Sequence, residues 1–217
     1  MWTIVLASRK GGAGKTTLAI HLAVEAERAG DGPVVIIDAD PMGGASGWHN
    51  ARKIAGGPRF IEVGNDGLKQ TLEDAKRVGV GVVVIDTPPA ATNAIGIIIA
   101  ASDLVIVPVI PSPNDLRAVG ETIDRIEEAG KPLLFVLNNA SVKARLTGQA
   151  SRLLSSDGPV AQVVVASRQD YRSAMTDGRS AAEIKPQSLA AKEIAELWKN
   201  IISKLETGDR RGKARIT

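Results

Sequence analysis

Short apolar runs recur along the chain, each followed by a stretch with helical spacing. Runs at Thr3–Ser8, Val34–Asp38, Arg59–Val63, Val80–Asp86, Leu104–Val109, Leu133–Asn138 and Ala161–Val165 predict seven strands. They are continuous rather than alternating, as in GVVVID and DLVIVPV, which is the pattern of strands covered on both faces. Helices are predicted near Thr16–Ala29, Asn65–Val78, Ala94–Ala101, Leu116–Ala129, Val142–Ser155 and Asp170–Asp177. A last helix near Gln187–Leu205 sets Leu189, Ile194, Leu197, Ile201 and Leu205 at helical spacing. Strand–helix alternation of this kind implies an α/β domain with a mainly parallel, doubly wound sheet flanked by helices. One domain is expected over 1–205. Residues 206–217, ETGDRRGKARIT, lack an apolar stripe and are expected to be a disordered polar tail.

Composition removes several chemistries. The 217 residues include no Cys, so disulfides, thiolate nucleophiles and Cys-held metals are excluded. Two histidines, His21 and His49, do not make a histidine-rich metal centre. Aromatics are only 3%, so the core is expected from Ala, Val, Ile and Leu, and aromatic stacking on nucleic acid is a poor expectation. The most apolar stretch, Ala94 to Ile110, is interrupted by Asp103 and Pro108 and is too short to span a membrane. Arg9 and Lys10 follow the first strand at once, so no signal peptide is expected and the protein is expected to be cytoplasmic.

Charge is divided along the chain. Residues 1–137 hold 13 Lys and Arg against 16 Asp and Glu, whereas 138–217 hold 14 against 8. A basic C-terminal third suits either a solvated surface or a polyanionic partner.

The decisive segment is Ser8–Leu18, SRKGGAGKTTL, between the first strand and the first helix. Successive glycines let backbone N–H groups curl around phosphate oxygens, and the helix behind adds the positive end of its dipole. Lys15 can reach the β- and γ-phosphates, and the Thr16 hydroxyl can ligate Mg²⁺. The general phosphate-loop pattern has Gly where this chain has Arg9. The form present is Lys-Gly-Gly-x-Gly-Lys-Thr, with an extra lysine at Lys10.

Two carboxylate motifs end strands at the edge where α/β folds bind ligands. Asp38-Ala39-Asp40-Pro41 closes the second strand, and Asp86-Thr87-Pro88-Pro89 closes VVVID. A carboxylate after four apolar residues is costly to bury unpaired. A place beside Mg²⁺, directly or through water, removes that difficulty.

Together Lys10–Thr17, Asp38–Pro41, Asp86–Pro89 and Ser102–Pro108 resemble the ParA/MinD family of deviant Walker ATPases, and the similarity extends to about residue 185. The segments IPSPNDLRAVG and RQDYRSAMTDGRS look most like the short, ParF-type plasmid-partition ATPases. The resemblance implies a single-domain P-loop NTPase that takes ATP/ADP and Mg²⁺. It casts Lys10 as the signature lysine that reaches the partner's ATP in a dimer. Gly11, Gly12, Ala13, Gly14, Lys15, Thr16 and Thr17 form the phosphate cradle. Asp40 matches the aspartate that orients the attacking water, and Asp86 the carboxylate that holds Mg²⁺ through water. On this reading Lys10, Lys15, Asp40 and Asp86 are catalytic, and Thr16, Asp40 and Asp86 serve the metal. Asp38 and Asn138 join the nucleotide-binding set, Asn138 at the adenine, with Arg168 a weaker candidate there. The family's usual glutamine after Asp-x-Asp-Pro is Met42 here.

The function implied is ATP-dependent DNA segregation. ATP drives formation of a homodimer that coats duplex DNA non-specifically on the nucleoid, without a membrane. Hydrolysis, stimulated by a ParB-type centromere-binding partner, resets the cycle. Two alternatives share the loop: a metabolic ligase of the dethiobiotin-synthetase type, and a MinD-like division-positioning ATPase. A MinD-like membrane helix is expected to be missing, since Ile216 is the one large apolar residue after Leu205. No helix-turn-helix domain is expected ahead of Arg9, which stands ninth in this sequence.

Overall fold

The computed structural model describes residues 1–64, 67–89 and 93–213, the side chains of 93, 94 and 209–213 excepted. In chain order the elements are β1 (Trp2–Leu6), α1 (Lys15–Ala29), β2 (Val34–Asp38), α2 (Gly44–Ala51), β3 (Arg59–Glu62), α3 (Leu68–Arg77), β4 (Val82–Asp86) and α4 (Asn93–Ala100). There follow β5 (Leu104–Val109), α5 (Pro113–Ala118), α6 (Gly120–Glu128), β6 (Leu133–Leu137), α7 (Arg145–Leu154), α8 (Gln169–Thr176), α9 (Ala181–Ile184) and α10 (Leu189–Lys213). The six strands form one parallel sheet in the order β3-β2-β4-β1-β5-β6. The expected α/β architecture is the one observed.

The continuous apolar strands divide the core by residue parity. Ile4, Leu6, Ile36 and Val84 face α1 and α10 on one side, while Val5, Ile37, Val83 and Ile85 face α3, α4 and α6 on the other. Each such Ile or Leu contributes about 1.5–3 kcal/mol of burial, so the sheet, not the loops, carries the stability. Register then brings the two acidic strand ends together. Asp38 lies opposite Asp86 across the β2–β4 pair, and Leu6 precedes the phosphate loop next door.

Three expectations need correction. Ala161–Val165 is no strand. The chain meets β6 by an isolated bridge of Val160 to Phe135 and, past the end of β6, by a second of Ala166 to Ala140, and between them the Gln162 amide turns away to Asn200 Oδ1 at 3.0 Å. Leu116–Ala129 is two helices, because Ser112 caps a new start before Pro113 and the run breaks at Val119. The last helix continues through Lys213, so 206–213 is helix rather than tail. Extending a formed helix costs far less than starting one. Residues 214–217, including Ile216, and the expected helix start at Asn65 and Asp66 lie outside the described residues. α2 was not expected, since GASGWHNA has two glycines and no cap of its own.

Candidate functional site

The loop after β1 curls through left-handed backbone at Gly12 (φ 80°) and Gly14 (φ 91°), and Gly14 caps α1. Gly14 has a second reason to be glycine. A Cβ there would lie 2.2 Å from Asn138 Nδ2, which donates to the Ala13 carbonyl at 2.8 Å. Asn138 therefore holds the loop's shape from beneath. It also lines, with Gly12, Gly14, Thr17, Asn139, Arg168, Tyr171 and Arg172, a cleft of about 130 Å³ beside the loop. Arg168 is fixed there by Glu193, to which its Nη2 donates at 2.6 Å.

Lys15 opens α1 and is 6% exposed. Burial lowers its pKa, against the charges of Asp86 and Asp40, which act to raise it. Thr16 Oγ1 donates to Asp86 Oδ2 at 2.6 Å. The other oxygen, Asp86 Oδ1, is buried with no hydrogen-bond partner among the described residues. Burial pushes this carboxyl up to about 7, with Asp38 and Asp40 adding to the rise, while Thr16 and Lys15 pull it down. A buried, unsatisfied carboxylate oxygen next to a threonine hydroxyl is the donor set a hydrated Mg²⁺ requires. Among the described residues no three His, Cys, Asp or Glu side chains could hold a metal alone, so phosphate and water oxygens would have to complete the shell.

Asp38, expected among the nucleotide-binding residues, is bonded within its own loop. Its Oδ1 accepts the Asp40 amide at 3.0 Å, and its Oδ2 accepts the amides of Ala45 and Ser46 and the Ser46 hydroxyl. The carboxylate is thus occupied by its own loop, where it supplies α2 with the acceptor that its sequence lacks. This clamp folds residues 39–43 into a turn with Asp40 at its head. Asp40 Oδ1 accepts the Met42 amide at 2.9 Å, and Met42 itself is 87% exposed. A cleft of about 490 Å³ opens between this turn and the end of β3.

Lys10 is engaged by a neighbouring helix. Its Nζ pairs with the Asp115 carboxylate on α5, which also accepts the Ser112 hydroxyl. Arg9 pairs with Glu121 on α6. Asp115 went unnoticed in sequence reasoning, although it sits within the IPSPNDLRAVG segment.

A cleft of about 520 Å³ also exists at the opposite, amino-terminal edge of the sheet, near Trp2, Asp103, Lys131 and Lys204. Size does not make it the site. Parallel sheets bind at their carboxyl edge, where the glycine loop, Thr16, Asp40 and Asp86 converge.

The family described as "CobQ/CobB/MinD/ParA nucleotide binding domain" matches residues 4–181. The chain belongs to the ParA/MinD family. Over 212 residues this family member is 31% identical to "Maintenance of carboxysome distribution protein A" of Halothiobacillus neapolitanus, covering 93% of this chain and 96% of that one. The protein of the same description from Gloeobacter kilaueensis is 37% identical over 123 residues, 56% of this chain and 55% of its own. The chain therefore spans about half the length of that second relative. In structure, the septum site-determining protein MinD complexed with Mg-ADP from Pyrococcus horikoshii superposes with a TM-score of 0.72 at 19% identity, covering 92% of this chain and 95% of that one. The span matched to the ParA/MinD nucleotide-binding domain includes the phosphate loop and both aspartate motifs. Among the described residues no helix is long and apolar enough to cross a membrane.

Proposed function

We propose that this ParA/MinD-family protein is a Mg²⁺-dependent ATPase that distributes a cargo over DNA. ATP binding brings two copies together, the dimer holds duplex DNA without regard to sequence, and hydrolysis releases it. The observation that carries the ATPase reading is the Thr16–Asp86 pair, with Asp86 Oδ1 left without a partner among the described residues, beside the lysine of the loop and Asp40. Phosphoryl transfer needs positioning and charge neutralisation rather than covalent chemistry, and these groups supply both. Lys15 would neutralise the phosphates, Thr16 and Asp86 would hold the hydrated metal, and Asp40 would orient water.

The sequence motifs favour plasmid segregation with a ParB-type partner, whereas the two relatives named for carboxysome distribution favour a protein-bounded cargo. Both readings share one cycle and differ in the partner that stimulates it. ATP turnover is measured with Mg²⁺, with and without random duplex DNA. Turnover that needs Mg²⁺ and is slow alone supports the proposal. Turnover indifferent to DNA and raised by a small carboxylic acid would support a ligase instead.

A further inference from the structure

The helix that follows the Asp40 turn is anchored at both ends, and Arg52 leads its far anchor. At the near end the first turn of α2 receives Asp38, and a Cβ on Gly44 would lie 3.1 Å from Thr16 Cγ2, so α2 starts directly against the metal-side threonine. At the far end stands Arg52, whose side chain is 6% exposed. Its Nη1 donates to the Gly178 carbonyl at 2.9 Å, and its Nη2 donates to Glu183 Oε1 at 2.7 Å. The guanidinium also lies 4.9 Å from the ring of Trp48, whose Nε1 donates to the Arg179 carbonyl at 3.1 Å. The backbone of the α8–α9 connection is shaped for this anchor. Gly178 has φ +65°, and a Cβ there would come within 2.3 Å of the Arg52 backbone.

That connection leaves the C-terminal end of α8, whose opposite end supplies Tyr171 and Arg172 to the cleft beside the phosphate loop. Arg52 therefore joins the wall of that cleft to the turn that presents Asp40. Reacting groups misplaced by about 1 Å can cost on the order of a hundredfold in rate, so a rigid joint here has catalytic consequences.

We infer that Arg52 is a positioning residue for hydrolysis: it fixes α2 against the α8–α9 connection and so sets where Asp40 is held. The inference rests on the ATPase reading for its kinetic consequence, not for its structural one.

The test compares the full-length parent with Arg52→Lys, Arg52→Met and Glu183→Gln. Lysine keeps the charge but not the planar fork. Amide hydrogen exchange should accelerate across residues 39–46 in each variant, with β1 and β4 unchanged. Steady-state kinetics should show kcat lowered about tenfold or more in Arg52→Met, less in Arg52→Lys, with the KM for Mg-ATP within about threefold of the parent. Should Arg52→Met fail to fold, Arg52→Lys and Glu183→Gln carry the same comparison. Unchanged exchange in 39–46, or kcat and nucleotide affinity falling in parallel, would overturn the inference. Asp40→Ala is the control for the site reading. Undiminished turnover in that variant removes Asp40 from the chemistry and leaves the exchange result to decide the joint.

Discussion

Lys10 and Asp115 form an ion pair within one chain, between the entry to the phosphate loop and the first helix beyond β5. The pair holds the extra lysine of the motif on α5. A role on the nucleotide of a second copy therefore begins with release from Asp115. The contact is only partly shielded, since the Lys10 side chain is 39% exposed. Its loss should matter modestly, by up to about fivefold in an equilibrium, the equivalent of ~1 kcal/mol.

In an Asp40→Ala background, Asp115→Asn is expected to form the ATP dimer at lower protein concentration than its parent. Lys10→Ala is expected to stay monomeric. Light scattering at saturating Mg-ATP reads both. A dimer indifferent to Lys10→Ala would remove the lysine from the interface.

Lys15 and Asp40 should fail in different ways. Lys15→Ala removes the one buried cation of the loop and should abolish nucleotide binding, measured with a fluorescent ATP analogue. Asp40→Ala leaves the cradle whole and should bind nucleotide within about threefold of the parent while losing turnover by about a hundredfold or more. Normal hydrolysis in both variants would end the ATPase assignment.

Gly14→Ala should be as damaging as Lys15→Ala, for a geometric reason. A methyl at 2.2 Å from Asn138 Nδ2, on a residue with φ +91°, cannot be relieved by a side-chain rotation alone. The loop must move, and the Ala13–Asn138 hydrogen bond breaks with it. Asn138→Ala should show the milder form of the same defect, with weaker ATP affinity. Full affinity in Gly14→Ala would show that the loop tolerates another shape.

How much of this was legible follows from where each signal resides. The apolar runs announced the sheet because buried parallel strands must be apolar on both faces, and Val34–Asp38 and Leu104–Val109 fall where they were expected. The glycine loop and both aspartate motifs were legible because their chemistry is local in sequence. α2 was not, since the acceptor that starts it is Asp38, outside the helix, and the arginine that ends it binds residues 126 and 131 positions away. α9 was within reach. Ser180-Ala-Ala-Glu183 is a capping box, and the structure shows both of its hydrogen bonds. The loop contacts of Asp38 were not legible, because sequence reveals that a carboxylate ends a strand but not which amides fold back onto it.

His21 gives the fold a pH dependence with a defined sign. It is 1% exposed on α1, its Nδ1–H donates to the Thr17 carbonyl at 2.8 Å, and its ring meets Tyr171 edge to face. Burial lowers its pKa to about 4, although the Thr17 carbonyl and the charge of Glu183 act to raise it. The folded state therefore keeps the imidazole neutral where the unfolded chain, near 6.5, takes up a proton. Stability should fall as pH falls from about 6.5 to 4, by ~3 kcal/mol at most. Urea unfolding of the parent and of His21→Met at pH 7, 5.5 and 4 tests this. The variant should lose less stability across the range, and parallel curves would show that His21 does not titrate as argued.

Binding of duplex DNA should follow from charge and be gated by nucleotide. After Leu137 the chain carries 14 Lys and Arg against 8 Asp and Glu. Lys192 and Lys199 are exposed on α10, and Lys185 just ahead of it is exposed as well, its ammonium 3.8 Å from Asp170. Lys199 lies 3.5 Å from Glu196, so part of its charge is already compensated. Lys204, also on α10, is half-buried. Among the described residues no side-chain set suited to reading bases is evident, and aromatics are 3% of the chain, so contacts should go to phosphates and ignore sequence. One copy offers few cations, and two copies held together by ATP double them on one ligand, which makes dimerisation the gate. The log of affinity should fall with the log of salt, by about 0.9 for each phosphate neutralised. A titration on random duplex at two salt concentrations, with ATP and with ADP, measures both effects, and Lys192→Glu with Lys199→Glu should weaken binding and flatten the slope. Equal binding with ATP and ADP would break the link between nucleotide and DNA. An unchanged slope in the double variant would move the contact surface off α10.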